Sequence, residues 1–140
     1  MAELTVSGLR KEYPTPSGPL TILDGIDLQL GKGENLAVLG PSGCGKSTFL
    51  QIVGTLDHPT SGEVRLEGIN PFVLGNRELA AFRNHRVGFI FQEHHLLPQL
   101  TTLENVLLPV LAEQRVDAAA LERARALLEQ VGLEIGRAHV

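Results

Sequence analysis

The chain holds one cysteine in 140 residues, so no internal disulfide can form, and Cys44 suits a reducing cytosol. No apolar run reaches the roughly 18 residues that a membrane span needs. The densest stretch, Val106 to Ala112, is short and interrupted by Pro109. The opening MAELTVSGLR lacks a cationic start followed by an apolar stretch, so no secretory signal is visible. An excess of positive charge is also absent. Twelve Lys and Arg stand against sixteen Asp and Glu, a formal net charge of -4, which argues against a broad nucleic-acid-wrapping face. What is present is ordinary globular composition, 43% hydrophobic and 20% charged, in a length that suits one core. The expectation is a soluble, cytosolic domain.

Hydrophobic spacing organises the chain. Leu4, Val6 and Leu9 mark a first strand, which the turn-rich segment Pro14 to Pro19 is expected to end. Ile22, Ile26, Leu28 and Leu30 follow a period of two, broken at Asp24-Gly25. Gly31 to Glu34 reads as a tight turn, because glycine accepts positive φ cheaply. Leu36 to Leu39 (LAVL) lacks polar alternation, the pattern of a strand buried on both faces. A helix is predicted over Lys46 to Val53, a loop over Asp57 to Gly62 and an edge strand over Glu63 to Glu67. Arg77 to Arg86 reads as a helix with Leu79, Ala80 and Phe82 inward, and Val87 to Phe91 (VGFIF) as another buried strand. Helices are predicted over Thr101 to Leu108 and Asp117 to Val131. The second has Asp117 as N-cap and Gly132 as its stop, with an apolar stripe of Leu121, Leu127, Leu128 and Val131. Strand, glycine loop, helix and later strands predict an α/β fold with a mixed sheet.

The loop after LAVL carries the chemistry. Gly40-Pro41-Ser42-Gly43-Cys44-Gly45-Lys46-Ser47, followed by Thr48, fits G-x-x-x-x-G-K-[ST]. Its glycines let the backbone bend so that successive N–H groups point inward at phosphate oxygens. A helix starting near Lys46 adds the positive end of its dipole. Lys46 would bind the β- and γ-phosphates as a mobile cation, and the Ser47 hydroxyl would ligate Mg²⁺. The bland alternative is a glycine turn that happens to precede a helix. The chain's own residue frequencies give about a 0.3% chance of one such match, and the required strand-then-helix context is predicted as well.

With that loop and four further stretches, the chain resembles the nucleotide-binding domain of an ABC transporter from about Leu4 to Leu133. Tyr13 occupies the place of the aromatic residue that stacks on adenine. Leu23 to Leu30 (LDGIDLQL) resembles the strand before the phosphate-loop turn, and Asp57 to Val64 the "PTSGEV" segment. Gln92, closing VGFIFQ, matches the Q-loop glutamine, which touches Mg²⁺ and the attacking water and reports to the membrane subunit. The resemblance implies a P-loop NTPase fold of ABC type, with a mixed sheet, an antiparallel β subdomain and the start of the helical subdomain, truncated. It implies ATP and Mg²⁺ as cofactors, a multi-span membrane permease as partner, and a homodimer of such domains in the full-length protein. The place implied is cytoplasmic, peripheral on the inner face of the cell membrane. Gln92 to Val106 (QEHHLLPQLTTLENV) is most similar to exporters of the lipoprotein-releasing type, with macrolide-export and cell-division ATPases as near relatives. Leu96, Leu97 and Leu100 would then suit a groove on the partner, or else pack on their own domain.

Other residues read more plainly. His94-His95 reads as loop surface in preference to a metal pair, since adjacent residues rarely point the same way and no Cys or carboxylate cluster accompanies them. Cys44 beside Lys46 at a helix start would favour a thiolate, but filling the loop is its default role. A small P-loop kinase would need an arginine-rich lid, for which Arg83 and Arg86 are the only close candidates. A nucleotide-binding regulatory module, or a non-transport ATPase of cell-division type, is the alternative reading.

The 140 residues contain no LSGGQ-like signature, no apolar run ending in Asp-Glu and no switch histidine at the right distance. The expectation is therefore nucleotide binding with poor or no hydrolysis by this chain, because the second metal ligand and the base are missing. Residues 1–133 are expected to be a partial nucleotide-binding domain. Glu134 to Val140 (EIGRAHV) looks like the translation of a common short-read sequencing adapter and is expected to be a non-native tail.

Overall fold

Alternating apolar residues in the first thirty positions make two long strands, and glycines decide where those strands bend. In the computed structural model, which describes residues 2–93, 95–112 and 115–133, β1 (Ala2–Thr15) and β2 (Gly18–Gly31) form an antiparallel hairpin. The ladder runs to the Thr15–Gly18 pair, so Pro14 lies inside the strand and only Pro16 and Ser17 turn the chain. The expected end at Pro14 is thus two residues early. A terminal hairpin position tolerates a proline because the N–H it lacks is not needed by a neighbouring strand. Two of the four register shifts in this ladder fall at Ser7-Gly8 and at Asp24-Gly25, where Gly8 and Gly25 take φ of 54° and 70°. Such one-residue bulges increase the local twist.

β3 (Ser61–Leu66) pairs antiparallel with the other side of β1, giving the order β2-β1-β3. It is the edge strand expected there, but it begins at Ser61, two residues inside the expected loop, and ends at Leu66, one residue before Glu67. α1 (Lys46–Val53) has the bounds expected from the sequence and covers the sheet with Phe49 and Ile52. Leu4, Val6, Leu9, Leu23, Phe49, Ile52 and Val64 form the core, and burying each such side chain is worth about 1.5–3 kcal/mol. A short 3₁₀ turn (Pro71–Val73) leads to α2 (Asn76–Arg86). On α2 Leu79 is buried and Phe82 half-buried, but Ala80 is exposed, contrary to expectation. One buried position per turn satisfies a helix lying on a surface, and Leu79 fills it.

Two segments differ from the sequence reading. Leu36 to Leu39 and Val87 to Phe91 form no ladder among the described residues. Leu39 is 87% exposed and Ile90 fully exposed. A strand buried on both faces needs neighbouring strands to take its N–H and C=O groups. Among the described residues the only ladders are the antiparallel ones to β1 and the isolated Leu66–Ile69 bridge.

The chain divides into two units, Met1–Phe89 and Ile90–Val140. In the second, α3 (Thr102–Leu111) packs with α4 (Ala118–Gln130). Thr101 caps α3 by accepting the Glu104 N–H, and Glu104 returns the bond to the Thr101 N–H, a capping box. α3 continues to Leu111, past the expected end at Leu108. Pro109 removes one i→i−4 bond, while Ala112 N–H still donates to the Leu108 carbonyl. Asp117 caps α4 as predicted, accepting from Ala120 N–H at 2.7 Å, and Gly132 ends it with φ 77°. The buried stripe of α4 is Ala124 and Leu128 with Leu121 half-buried, whereas Leu127 and Val131 are exposed. Steps of three and four residues keep 121, 124 and 128 on one face, and 127 and 131 fall beside it. No described helix is long and apolar enough to cross a membrane. Residues 134–140, with the expected tail, lie outside the described residues.

Candidate functional site: the glycine loop and the end of strand β1

The chain leaves Leu39 and turns sharply through Gly40 to Gly45 before entering α1. Gly45 is the N-cap of α1 with φ 92°, and a Cβ there would come within 2.8 Å of Leu23 Cδ2 and 3.0 Å of the Ile22 carbonyl. The loop therefore lies directly against β2, and only glycine fits at that point. A Cβ on Gly40 would sit 2.6 Å from Cys44 Sγ, while one on Gly43 would meet nothing within 4 Å. Cys44 N–H donates to the Pro41 carbonyl at 3.5 Å, closing the turn. Pro41, Ser42, Gly43 and Cys44 are exposed.

Lys46 bends back over this loop. Its Nζ donates to the carbonyls of Gly40 (2.9 Å) and Pro41 (2.6 Å) and lies 3.8 Å from Cys44 Sγ. No side chain caps α1 and no acidic residue occupies its first turn. Its leading N–H groups and its dipole thus face outward beside an ammonium, a combination suited to an anion. Ser47 is exposed at the second position of the helix, and Thr48 is half-buried.

An apolar cleft of about 330 Å³ adjoins the loop, lined by Leu23, Leu28, Leu36, Val38 and Phe49 together with Cys44, Gly45 and Lys46. Its lining is chiefly aliphatic, so it is a packing surface beneath Leu36 to Leu39. The anion-seeking groups belong to the loop itself.

Tyr13 sits near the hairpin end of β1, opposite Leu20, with 38% of its surface exposed. Its hydroxyl donates to Asp57 Oδ2 at 2.8 Å, and Lys11 Nζ lies over its ring, 4.8 Å from the centroid. The Asp57 carboxylate holds the Tyr13 phenol above its ordinary pKa, with burial adding to the effect and the Thr48 hydroxyl opposing it. Burial works against the charged form of Asp57. Hydrogen bonds from Lys11, Tyr13 and the His58 N–H outweigh it and hold the carboxyl below its usual range. Sequence reasoning singled out Tyr13 but neither Lys11 nor Asp57 as part of this cluster. The available signal was the Lys-x-Tyr spacing, which puts both side chains on one face of a strand.

The remaining predicted positions fall elsewhere. Gln92 is exposed and belongs to the second unit. His95 packs edge-on against Phe91 with centroids 4.7 Å apart, and His94 lies outside the described residues. Leu96 and Leu97 are exposed as expected, while Leu100 is half-buried. The backbone of Leu97 and Leu100 is tied by Asn105 to the start of α3. Arg83 donates to the Thr55 carbonyl at 2.9 Å, and Arg86 pairs with Glu67.

A glycine loop feeding an uncapped helix, laid on an antiparallel β subdomain, defines a P-loop cassette of ABC type. Residues 23–139 match the family model described as ABC transporter, and the chain belongs to that family. It is 51% identical over 137 residues to the lipoprotein-releasing system ATP-binding protein LolD 1 of Rhodopirellula baltica, an alignment covering 98% of this chain and 60% of the relative. It is 52% identical over 132 residues to LolD of Geobacter metallireducens, covering 93% and 58%. Among solved structures it is similar to the dimeric structure of MJ0796, a bacterial ABC transporter cassette. The TM-score is 0.82 at 37% identity, over 92% of this chain and 56% of that one. A post-hydrolysis state of the same cassette, bound to ADP and Pi, gives a TM-score of 0.83 at 36% identity, covering 94% and 58%. The chain spans about 60% of the length of the curated relatives it matches.

Proposed function

We propose that this chain is the nucleotide-binding part of an ATP-binding subunit of an ABC transporter, of the lipoprotein-releasing type. The observation that carries the reading is the loop Gly40 to Gly45 running into α1 with no side-chain cap, under the Lys46 ammonium. The donor set fits a nucleoside triphosphate. Backbone N–H groups of residues 43–48 would hold the β- and γ-phosphates, Lys46 would trade its two carbonyl acceptors for phosphate oxygens, and Tyr13 would stack on adenine. Ser47, a hard oxygen at the helix start, would hold Mg²⁺, which would neutralise charge on the phosphates, and Gln92 is the residue that the family pattern would bring to the ion. Pro41, Ser42 and Cys44 shape the loop, and Thr48 buttresses it.

In the full-length protein two such domains would pair, and the pair would drive a multi-span permease, with Gln92 relaying the nucleotide state. That association would hold the subunit on the inner face of the membrane. This chain by itself is expected to bind ATP and to hydrolyse it slowly or not at all. The kinase reading loses support because Arg83 and Arg86 are both engaged within the first unit.

The test is a fluorescent-nucleotide titration of Lys46→Ala. Loss of ATP binding is expected, and an unchanged affinity would sink the assignment. Recovery of the full-length protein with a multi-span permease would separate the transport reading from a regulatory module.

A further inference from the structure

A charged cluster surrounds Tyr13 that phosphate binding alone does not need. Lys11 is 8% exposed, unusual for a lysine, and is buried with two strong acceptors. Its Nζ donates to Asp57 Oδ1 at 2.8 Å and to the His58 carbonyl at 2.7 Å. Asp57 Oδ1 also accepts its neighbour's N–H, from His58 at 2.7 Å, while Oδ2 takes the Tyr13 hydroxyl. The loop bearing Asp57 is itself fastened to β1. Thr60 N–H donates to the Arg10 carbonyl at 2.8 Å, and the Thr60 hydroxyl accepts the Glu12 N–H at 2.9 Å.

The consequence is geometric. Tyr13 stands near the end of a hairpin, where a half-exposed aromatic ring would otherwise sample several rotamers. Here its hydroxyl is anchored at one end and its backbone at the other. One face is covered by the Lys11 ammonium, so a flat ligand would have to stack on the other.

We propose that Asp57, held in place by Lys11, is a positioning residue for the Tyr13 ring and fixes the plane against which a purine stacks. The inference rests on the reading that Tyr13 stacks on adenine. Asp57 and Lys11 touch no nucleotide atom in this scheme. They act through the ring, by sparing the entropy of ordering it on binding.

Two measurements test this. The first compares binding of ATP with binding of inorganic tripolyphosphate, which offers phosphates but no purine. Asp57→Ala is expected to weaken ATP binding about fivefold and leave tripolyphosphate unchanged. Tyr13→Phe, which keeps the ring but cuts the tether, should weaken ATP binding similarly, and the double variant should be no weaker than either single one. The second measurement uses the fact that Tyr13 is the only tyrosine in a chain without tryptophan. Near-ultraviolet titration therefore reads its phenol directly. The phenol should ionise above the ordinary tyrosine range, and return to that range in Asp57→Ala.

Equal loss of ATP and tripolyphosphate binding in Asp57→Ala would overturn the proposal, placing Asp57 in the loop's folding instead. Unchanged ATP affinity in Asp57→Ala would overturn it too. Should Asp57→Ala not fold, Tyr13→Phe decides: wild-type ATP affinity in that variant ends the inference. Tyr13→Ala separates the two levels. If it binds ATP normally, the stacking reading falls and the inference with it; if it binds weakly while Asp57→Ala binds normally, only the inference falls.

Discussion

The Cζ end of the Phe89 ring occupies the space that a Cβ on Gly54 would fill. Gly54 has φ −83°, a conformation open to any residue, so the need for glycine is purely steric. The contact joins the C-terminal end of α1 to the segment leaving α2, next to the Arg83 hydrogen bond to the Thr55 carbonyl. Gly54→Ala is expected to destabilise the fold by about 1–3 kcal/mol, the usual cost of overpacking. Adding Phe89→Ala should cancel part of that loss. A thermal-denaturation double-mutant cycle measures it, and strictly additive losses would contradict the contact.

Gly45 is constrained twice, by φ 92° and by its closeness to Ile22 and Leu23. Gly45→Ala should therefore displace the loop from β2 and remove nucleotide binding. Gly43→Ala has the left-handed φ of 79° but open space around the new methyl group. Its cost in stability is expected to be smaller, about 1 kcal/mol. Calorimetric unfolding of the two variants side by side gives the ranking, and a larger loss for Gly43→Ala would refute the steric argument.

The pH dependence has a defined sign. Hydrogen bonds from Lys11 and Tyr13 depress Asp57 against the opposing effect of its burial. Thr21 and then Arg10 depress Glu12, Arg65 depresses Glu63, and Thr101 depresses Glu104. A carboxyl whose folded pKa is lowered contributes stability above its unfolded pKa and loses it as pH falls through the folded value. The melting temperature should decline as pH drops below about 4.5, where the unfolded-state carboxyls begin to take up protons. Asp57→Asn should flatten that decline. Because these groups are largely solvated, each contribution is small.

Asn105 ties the 97–101 turn to α3 with four hydrogen bonds. Its Oδ1 accepts Leu97 N–H at 2.9 Å, and its Nδ2 donates to the carbonyls of Leu97, Leu100 and Thr101. Asn105→Ala is expected to speed amide exchange at Leu97 and Leu100 while α4 keeps its protection. Thr101→Ala, by contrast, should lower helix stability by about 1 kcal/mol through loss of the cap. Hydrogen exchange resolved by residue distinguishes the two effects.

The local grammar was legible in the residues. Gly40 to Ser47 announced a phosphate loop, Lys46 to Val53 a helix with those bounds, and Asp117 and Thr101 the starts of two more. These are short-range matters, decided by glycine dihedrals, by caps and by the spacing of apolar side chains over one or two turns. The resemblance to ABC nucleotide-binding domains rested on those motifs together with Tyr13, Asp57 to Val64 and Gln92, and the family match bears it out.

Other features depended on residues far apart in the chain. Leu36 to Leu39 carries the composition of a buried strand, yet a ladder exists only where a second strand supplies its hydrogen bonds. Ala80, Leu127 and Val131 looked as suitable for burial as Leu79 and Leu128, and only the neighbouring surface chose between them. The tether on Tyr13 is the clearest case: Asp57 lies 44 residues away along the chain and reaches the phenol only because β3 pairs with β1. Sequence fixes what a residue is able to bond with. Pairing of strands and packing of helices decide which partner, at which distance, it meets.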